Sequence, residues 1–312
     1  MVSVPELPVA LAKPARRMRP GRALLPRAAV PWLLIGPSLV LAILVIGYPF
    51  FEIVWLSLHD VSPFGIVRGF AGVANYARSL QDPVFLEATF RTFEWTVAVV
   101  GGTVVISLPV ALVLNVDFHG RGIARVLVML PWSISLAMAA IVWLWAFNGE
   151  FGMVNAILQQ IGLIGQPVPW MARASTAFPV EIGVGILVSI PFTVTIFLGG
   201  LASIPGEVYE AARIDGAGLF AQFRWMTLPL LRPFVTIAVV LNMIYVFNSF
   251  PIIWVMTQGG PDNSTHILVT YLYMLAFRLG EPGLAAAVSV LMLAMILAAT
   301  MVYLRIEEQS AA

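Results

Sequence analysis

The chain has 312 residues, of which 60% are hydrophobic and 11% are charged, and its net charge is +1. This balance excludes an ordinary soluble domain and indicates a protein that crosses a membrane several times. Cysteine is absent, so disulfides, zinc–thiolate sites and thiol chemistry are excluded, and no nucleic-acid partner is expected.

Six apolar stretches each come near the roughly 20 residues that a helix needs to cross the hydrocarbon core. Because backbone polar groups must find partners within lipid, each stretch is predicted to be an α-helix. We therefore expect an all-α polytopic membrane protein, with a six-helix transmembrane domain over 32–304. The predicted spans are approximately 32–58, 92–116, 124–147, 178–202, 234–256 and 283–304.

The basic residues are distributed unequally between the segments that connect these spans. If the tail 1–31 is cytoplasmic, the inner segments hold twelve lysines and arginines and the outer segments hold five. Because cytoplasmic flanks accumulate basic residues, both the tail and the C-terminus 305–312 are predicted to be cytoplasmic. The first apolar run is too long for a signal peptide, so we expect it to be retained.

Two outer connections contain apolar stretches that are too short to span. The stretch 151–164 could form an amphipathic helix at the membrane interface, and 265–277 could dip into the outer half of the bundle. Either stretch could equally be part of an ordinary loop that covers the bundle.

A polar segment, 203–233, interrupts the apolar pattern. Ser203 is a candidate helix cap, Pro205 suits a first turn, and Glu207 and Glu210 favour the positive end of a helix dipole. The pattern predicts a helix from about 206 to 214, a turn at Gly216 and Gly218, and a second helix until Leu228-Pro229. Such a helix would present Val208, Ala211 and Ala212 as a docking face.

The residues "EAARIDG" and a following "LP" in this segment resemble the signature of permease subunits in ATP-binding-cassette (ABC) importers. The matching positions, which the resemblance implies contact an ATPase, are Glu207, Glu210, Ala211, Ala212, Asp215, Gly216, Leu228 and Pro229. Because of this implied role, 203–233 is called the coupling segment below. A second stretch, "FNSFPIIWVMTQGGP" over 247–261, resembles carbohydrate permeases of the maltose-transporter type.

This resemblance implies an importer of type I architecture in the inner membrane of a bacterium or archaeon. It implies a second, related permease subunit, two separate ATPase subunits and an extracytoplasmic solute-binding protein. The sequence itself supports a separate ATPase, because a P-loop requires a lysine and the only lysine is Lys13 in the tail. We therefore expect no catalytic residue, metal or cofactor in this chain, with ATP and magnesium bound by the ATPase.

Alignment with maltose-type permeases implies a substrate pathway on the fourth and fifth spans. The implied residues are Gly185, Val188, Ser189, Phe192, Tyr245, Val246 and Ser249. Helical spacing adds Asn248 to the predicted pathway, and Asn242 lies near the same side of the fifth span. Helix packing is the alternative role for each of them. Aromatic rings with neutral hydroxyls and amides suit a sugar, and no basic residue lies mid-span for a phosphate.

Three other functions remain as alternatives. A glycerol-phosphate permease of the same group would need a cation from the partner subunit. An ion-coupled secondary transporter would usually show internal repeats and an intramembrane carboxylate, and neither is clear, because Glu52, Glu94 and Glu181 fall near predicted span ends. A structural or receptor subunit would leave uptake intact when deleted.

Overall fold

The computed structural model describes residues 29–311, so most of the predicted tail 1–31 lies outside the described residues. The chain divides into two units, Met1–Glu52 and Ile53–Ala312. The described part is almost entirely helical, in agreement with the predicted fold class. A single two-stranded antiparallel sheet is present among these residues, in which His59 pairs with Phe70.

The elements follow one another in chain order, and their labels are used below. They are α1 (Pro31–Ser57), β1 (His59–Val61), β2 (Val67–Phe70), α2 (Ala74–Gln81), α3 (Pro83–Asn115), α4 (Arg121–Met129), α5 (Leu136–Ala146), α6 (Met153–Gln160), α7 (Ala174–Ala202), α8 (Gly206–Ile214), α9 (Leu219–Phe247), α10 (Phe250–Met256), α11 (Leu268–Arg278) and α12 (Pro282–Ala311).

Five of the described helices, α1, α3, α7, α9 and α12, are long and apolar enough to cross a membrane. The third predicted span, 124–147, is not one straight helix: the chain bends by 96° between Arg121–Ser133 and Leu136–Ala146. Ser135 is the N-cap of the second helix, since its backbone is extended and its Oγ accepts a hydrogen bond from Met138 N at 3.3 Å. The total is therefore five spans, or six if the bent pair counts as one.

The fifth span, predicted at 234–256, lies earlier in the chain. It runs through Leu228-Pro229, where the sequence predicted a stop, because a π-turn over Phe223–Thr227 precedes the prolines. The Leu228 N–H then bonds to the Phe223 carbonyl, five residues back, so the helix continues past Pro229. At the other end α9 stops at Phe247, and Phe250–Met256 is a separate helix.

The core of the second unit forms where α3 packs along α7. Trp95 and Val99 of α3 lie fully buried against Val184 of α7. Gly102 lets this contact tighten, since a Cβ there would lie 2.5 Å from Ile186 Cδ1. The long apolar helices thus build a common frame for the residues of α7 and α9 described next.

The two short outer segments are both helical. α6 carries Asn155, which is 2% exposed and holds the following loop by bonding to Val168 and Trp170. α11 packs into the core through Leu268, Tyr271 and Leu275, and its first N–H bonds to Thr92 Oγ1 of α3 at 2.8 Å. Of the two roles considered for 265–277, packing inside the bundle is the one observed.

Two acidic residues lie deeper in helices than the sequence predicted, because α3 and α7 begin before 92 and 178. Glu94 is exposed on α3, well inside the helix. Glu181 of α7 is fully buried, and Thr257 Oγ1 donates a hydrogen bond to its Oε1 at 2.7 Å. Both carboxyl groups therefore lie about two turns or more after the first residue of their helices.

Candidate functional site

A cavity of about 230 Å³ opens between α7 and α9. Four of the predicted pathway residues border it, together with Asn242 and two residues that the sequence did not indicate. The lining residues are Trp132, Val188, Ser189, Phe192, Leu241, Asn242 and Tyr245. The helical spacing of 188, 189 and 192 on α7 and of 241, 242 and 245 on α9 turns both sets towards one space.

The polar groups of this cavity are neutral. Asn242 Nδ2 donates to Thr193 Oγ1 at 2.9 Å and to the Ala238 carbonyl at 2.8 Å. The carbonyl can only accept, which fixes the amide orientation and leaves Oδ1 without a bonded partner among the described residues. Ser189 Oγ donates to the Gly185 carbonyl at 2.8 Å, so its lone pairs stay available as acceptors.

Three aromatic side chains also line the cavity. The rings of Trp132 and Phe192 lie 5.8 Å apart between centroids, and Tyr245 is 49% exposed. The Tyr245 hydroxyl has no bonded partner in the described part of the chain. No acidic or basic residue is among the lining residues. The cavity can therefore accept hydroxyl hydrogens and stack an apolar face, and it offers nothing to neutralise a charge.

The other four predicted pathway residues do not border the cavity. A Cβ on Gly185 would lie 2.8 Å from Trp95 Cη2, so this glycine serves the contact between α7 and α3. Val246 is buried, and its carbonyl accepts a hydrogen bond from Trp95 Nε1 at 3.0 Å. Asn248 is exposed and bonds back to the Ile244 carbonyl, and Ser249 is buried at the break after α9.

Trp132 and Leu241 were missed by the sequence reasoning. Leu241 was hidden in an apolar run, where a single residue carries no signal. Trp132 belongs to the short Leu130–Ser133 turn at the bend between α4 and α5. Its neighbour Pro131 was the available signal, because proline within an apolar stretch indicates a break that can present side chains to a cavity.

The coupling segment forms a second candidate site. α8 spans Gly206–Ile214, the range that the sequence predicted. Its N-cap is Pro205 and not Ser203, because Ser203 ends α7 and bonds through Oγ to the Gly200 carbonyl at 2.7 Å. Glu207, Glu210 and Ala211 are exposed on α8. Ala212 is 1% exposed, so the expectation that it faces a partner was wrong.

Gly216 makes the turn after α8 with a φ of +80°, a region that favours glycine. The turn is closed by Gln222, whose Nε2 donates to the Ala217 carbonyl at 2.7 Å, and Tyr209 Oη lies 3.0 Å from Thr227 Oγ1. These contacts fix α8 against the start of α9. Asp215 and Pro229 are exposed and Leu228 is partly buried.

Large apolar side chains stand exposed around this turn. Ile214 is 86% exposed, Leu219 87% and Phe220 79%. Sequence reasoning missed them because it followed only the signature positions. Together with the carboxylates of Glu207 and Glu210 they give the coupling segment an apolar surface with a negative edge, which is the composition of a protein contact site.

Comparison with known proteins decides the family. Residues 103–309 match the model of the "binding-protein-dependent transport system inner membrane component" family. The chain belongs to this permease family. Its relatives include a probable ABC transporter permease of Brucella suis biovar 1 (strain 1330), which is 58% identical over 90% of this chain and 97% of that protein.

Two more proteins, one relative and one solved structure, are similar to this chain. The trehalose/maltose transport system permease protein MalF of Thermococcus litoralis is 35% identical over 89% of this chain and 94% of its own length. A crystal structure of a bacterial ABC transporter involved in the import of the acidic polysaccharide alginate shares the fold. Its TM-score is 0.77 at 21% identity, and the match covers 89% of this chain and 96% of that chain.

The permease is accordingly a multi-pass inner-membrane subunit of an ABC importer that depends on a binding protein. It is a transport subunit and not an enzyme, and ATP hydrolysis belongs to a separate ATPase subunit. The predictions of family and fold class are confirmed.

Proposed function

We propose that this permease passes a neutral mono-, di- or oligosaccharide through the cavity between α7 and α9. The observation that carries this proposal is the cavity lining itself, in which three aromatic rings surround the free acceptor oxygens of Ser189 and Asn242 without any charged group. A sugar ring stacks on aromatic faces and directs its hydroxyls to neutral acceptors. The name of the Thermococcus relative supports the same solute class.

The size of the cavity supports assembly with a second, related permease. Pockets that enclose small molecules usually measure about 300–1,000 Å³. The cavity of this chain is smaller, at about 230 Å³. A facing subunit would complete it, and two different subunits would form an asymmetric site for an asymmetric sugar.

The coupling segment is proposed to dock on one of two ATPase subunits, with both termini of the permease in the cytoplasm. Glu210 would pair with a basic residue of the ATPase, and Ala211 would lie against it. The exposed side chains of Ile214, Leu219 and Phe220 would be buried by this contact, which favours association. This chain would bind no cofactor or metal, and MgATP would be held by the ATPase.

One experiment tests the solute class. The permease is purified with the subunits that co-purify with it, and the binding protein from the same cells is screened by thermal shift against trehalose, maltose, glucose and sn-glycerol 3-phosphate. We expect stabilisation by a neutral sugar and ATP hydrolysis that responds to the sugar-loaded binding protein. A response to sn-glycerol 3-phosphate alone would replace the proposal with the glycerol-phosphate alternative.

A second experiment tests the docking site and the orientation, and it is simplified because the chain has no native cysteine. Cysteines placed at Glu210 and, as a control, at the exposed residue Phe64 of the β1–β2 hairpin should cross-link differently. Position 210 should link to the ATPase and position 64 should not. Linkage of position 210 to the binding protein would overturn both the docking site and the topology.

A further inference from the structure

Arg232 of α9 links this helix to the last helix, α12. Arg232 Nε lies 2.6 Å from Glu307 Oε1, and Arg232 Nη2 donates to the main-chain carbonyl of the same glutamate at 2.8 Å. The two residues are 75 positions apart in the chain. Because one guanidinium holds both the side chain and the backbone of Glu307, it fixes the position of the helix as well as neutralising a charge.

The surroundings make this contact stronger than an ordinary surface pair. The two side chains are 34% and 25% exposed. Partial burial weakens the screening that reduces most exposed ion pairs. The guanidinium also lies near the C-terminal end of α12, where the helix dipole favours a positive charge.

A further contact lies beside the pair on the same two helices. Tyr303, one turn before Glu307, lies close to Thr236, one turn after Arg232. Thr236 Oγ1 in turn donates to the Arg232 carbonyl at 3.2 Å. The two helices therefore lie close together over the turn that adjoins the Arg232–Glu307 pair.

The position of Arg232 relates this link to the coupling segment. The helix α9 runs without interruption from Leu219, beside the turn at Gly216, through Arg232. A displacement of α8 and of the start of α9 would thus reach Arg232 through a continuous helix. Glu307 is the point at which α12 would receive that displacement.

We propose that Arg232 and Glu307 are positioning residues for coupling: they make α12 follow the coupling segment when the ATPase moves it. This inference rests on the proposed docking of the ATPase on the coupling segment. A pair that only held the folded bundle together would affect assembly and stability, whereas a coupling pair must affect how ATP hydrolysis responds to the binding protein.

The test uses the complete complex in proteoliposomes and measures phosphate release from MgATP with and without the binding protein, as purified from the same cells. The variants are Glu307→Gln, Glu307→Arg, Arg232→Glu and the charge exchange Arg232→Glu/Glu307→Arg. The matched control is Glu308→Gln, which removes an exposed carboxylate next in the chain that has no ion pair among the described residues. Complex yield and the thermal midpoint are recorded for each.

We expect each single variant at 232 or 307 to lower the ratio of stimulated to unstimulated hydrolysis by about fivefold or more, the lower end of typical coupling effects. The charge exchange should restore at least half of the wild-type ratio, and Glu308→Gln should keep it. Single variants with a wild-type ratio would overturn the inference. So would variants that lose yield and ratio together without rescue. A wild-type complex that does not respond to the binding protein would overturn the proposed function, and this inference with it.

Discussion

Replacing Gly185 by alanine should destabilise the permease without changing its solute. The sequence placed Gly185 in the substrate pathway, but the structure places it against Trp95. The added Cβ would lie 2.8 Å from Trp95 Cη2 and 3.0 Å from Val99 Cγ2. Carbon atoms pack best at about 3.5–4.0 Å, so these neighbours must retreat by roughly 0.5–1 Å.

Trp95 cannot easily retreat. It is fully buried, and its Nε1 is held by the Val246 carbonyl at 3.0 Å. Forcing an extra carbon into such a core costs about 1–3 kcal/mol of the free energy of unfolding. The matched control is Gly183→Ala on the same helix, where a Cβ would meet nothing within 4 Å. That change should be neutral or stabilise by up to about 1 kcal/mol, because alanine favours helix.

The assay is titration of the purified chain in detergent with sodium dodecyl sulfate, from which the free energy of unfolding is obtained. Trp95→Phe, which removes the ring atoms nearest to position 185, should reduce the cost of Gly185→Ala by about 1–2 kcal/mol in a double-mutant cycle. Equal stabilities of the Gly185→Ala and Gly183→Ala variants would refute the reasoning, and so would a cost that Trp95→Phe leaves unchanged.

Three further predictions concern other parts of the permease. Phe192→Ala and Tyr245→Ala should each raise the solute concentration for half-maximal uptake by roughly two- to tenfold, because each removes one stacking contact. The control Phe90→Ala, on an exposed part of α3, should leave it unchanged. Unchanged uptake in both cavity variants would show that the solute does not pass through this cavity. Gly216→Val should abolish coupled uptake because of its +80° φ, whereas Gly216→Asn should retain it, since asparagine tolerates that region; equal activities would refute the backbone argument. Burial first, and then the charges of Arg91 and Arg278, lower the pKa of His266 from 6.5 to about 4. The fold keeps this imidazole neutral, so stability should fall as pH drops from about 6.5 to about 4, and His266→Gln should flatten that dependence in unfolding titrations; parallel pH curves would contradict it.

The features that could be predicted from sequence are those that neighbouring residues determine. The bounds of α8 followed from its glutamates and from the glycines after it, and Gly216 has the positive φ expected of a helix-ending glycine. The number of apolar runs followed from their length. Each of these rests on residues within one or two helical turns of one another.

The features that sequence missed depend on contacts between distant residues. Near the end of α9, the Val246 carbonyl accepts a hydrogen bond from Trp95, which is 151 positions away in the chain. Glu181 is fully buried, and its Oε1 accepts a hydrogen bond from Thr257, 76 positions away. The cavity gains Trp132 only because the chain bends between α4 and α5. No periodicity along the chain could indicate these pairings.

The continuity of α9 connects the two candidate sites in a way that the predicted span did not. A helix over 234–256 would have been separated from the coupling segment by a loop at Leu228-Pro229, and a loop absorbs displacement. The observed helix carries Leu219 at one end and Tyr245 near the other, a distance of about 39 Å at 1.5 Å per residue. Along it, Arg232 bonds to α12 and Asn242 bonds to Thr193 of α7. Movement at the coupling segment can therefore reach both the cavity wall and the last helix through bonded contacts of one helix, because no loop intervenes.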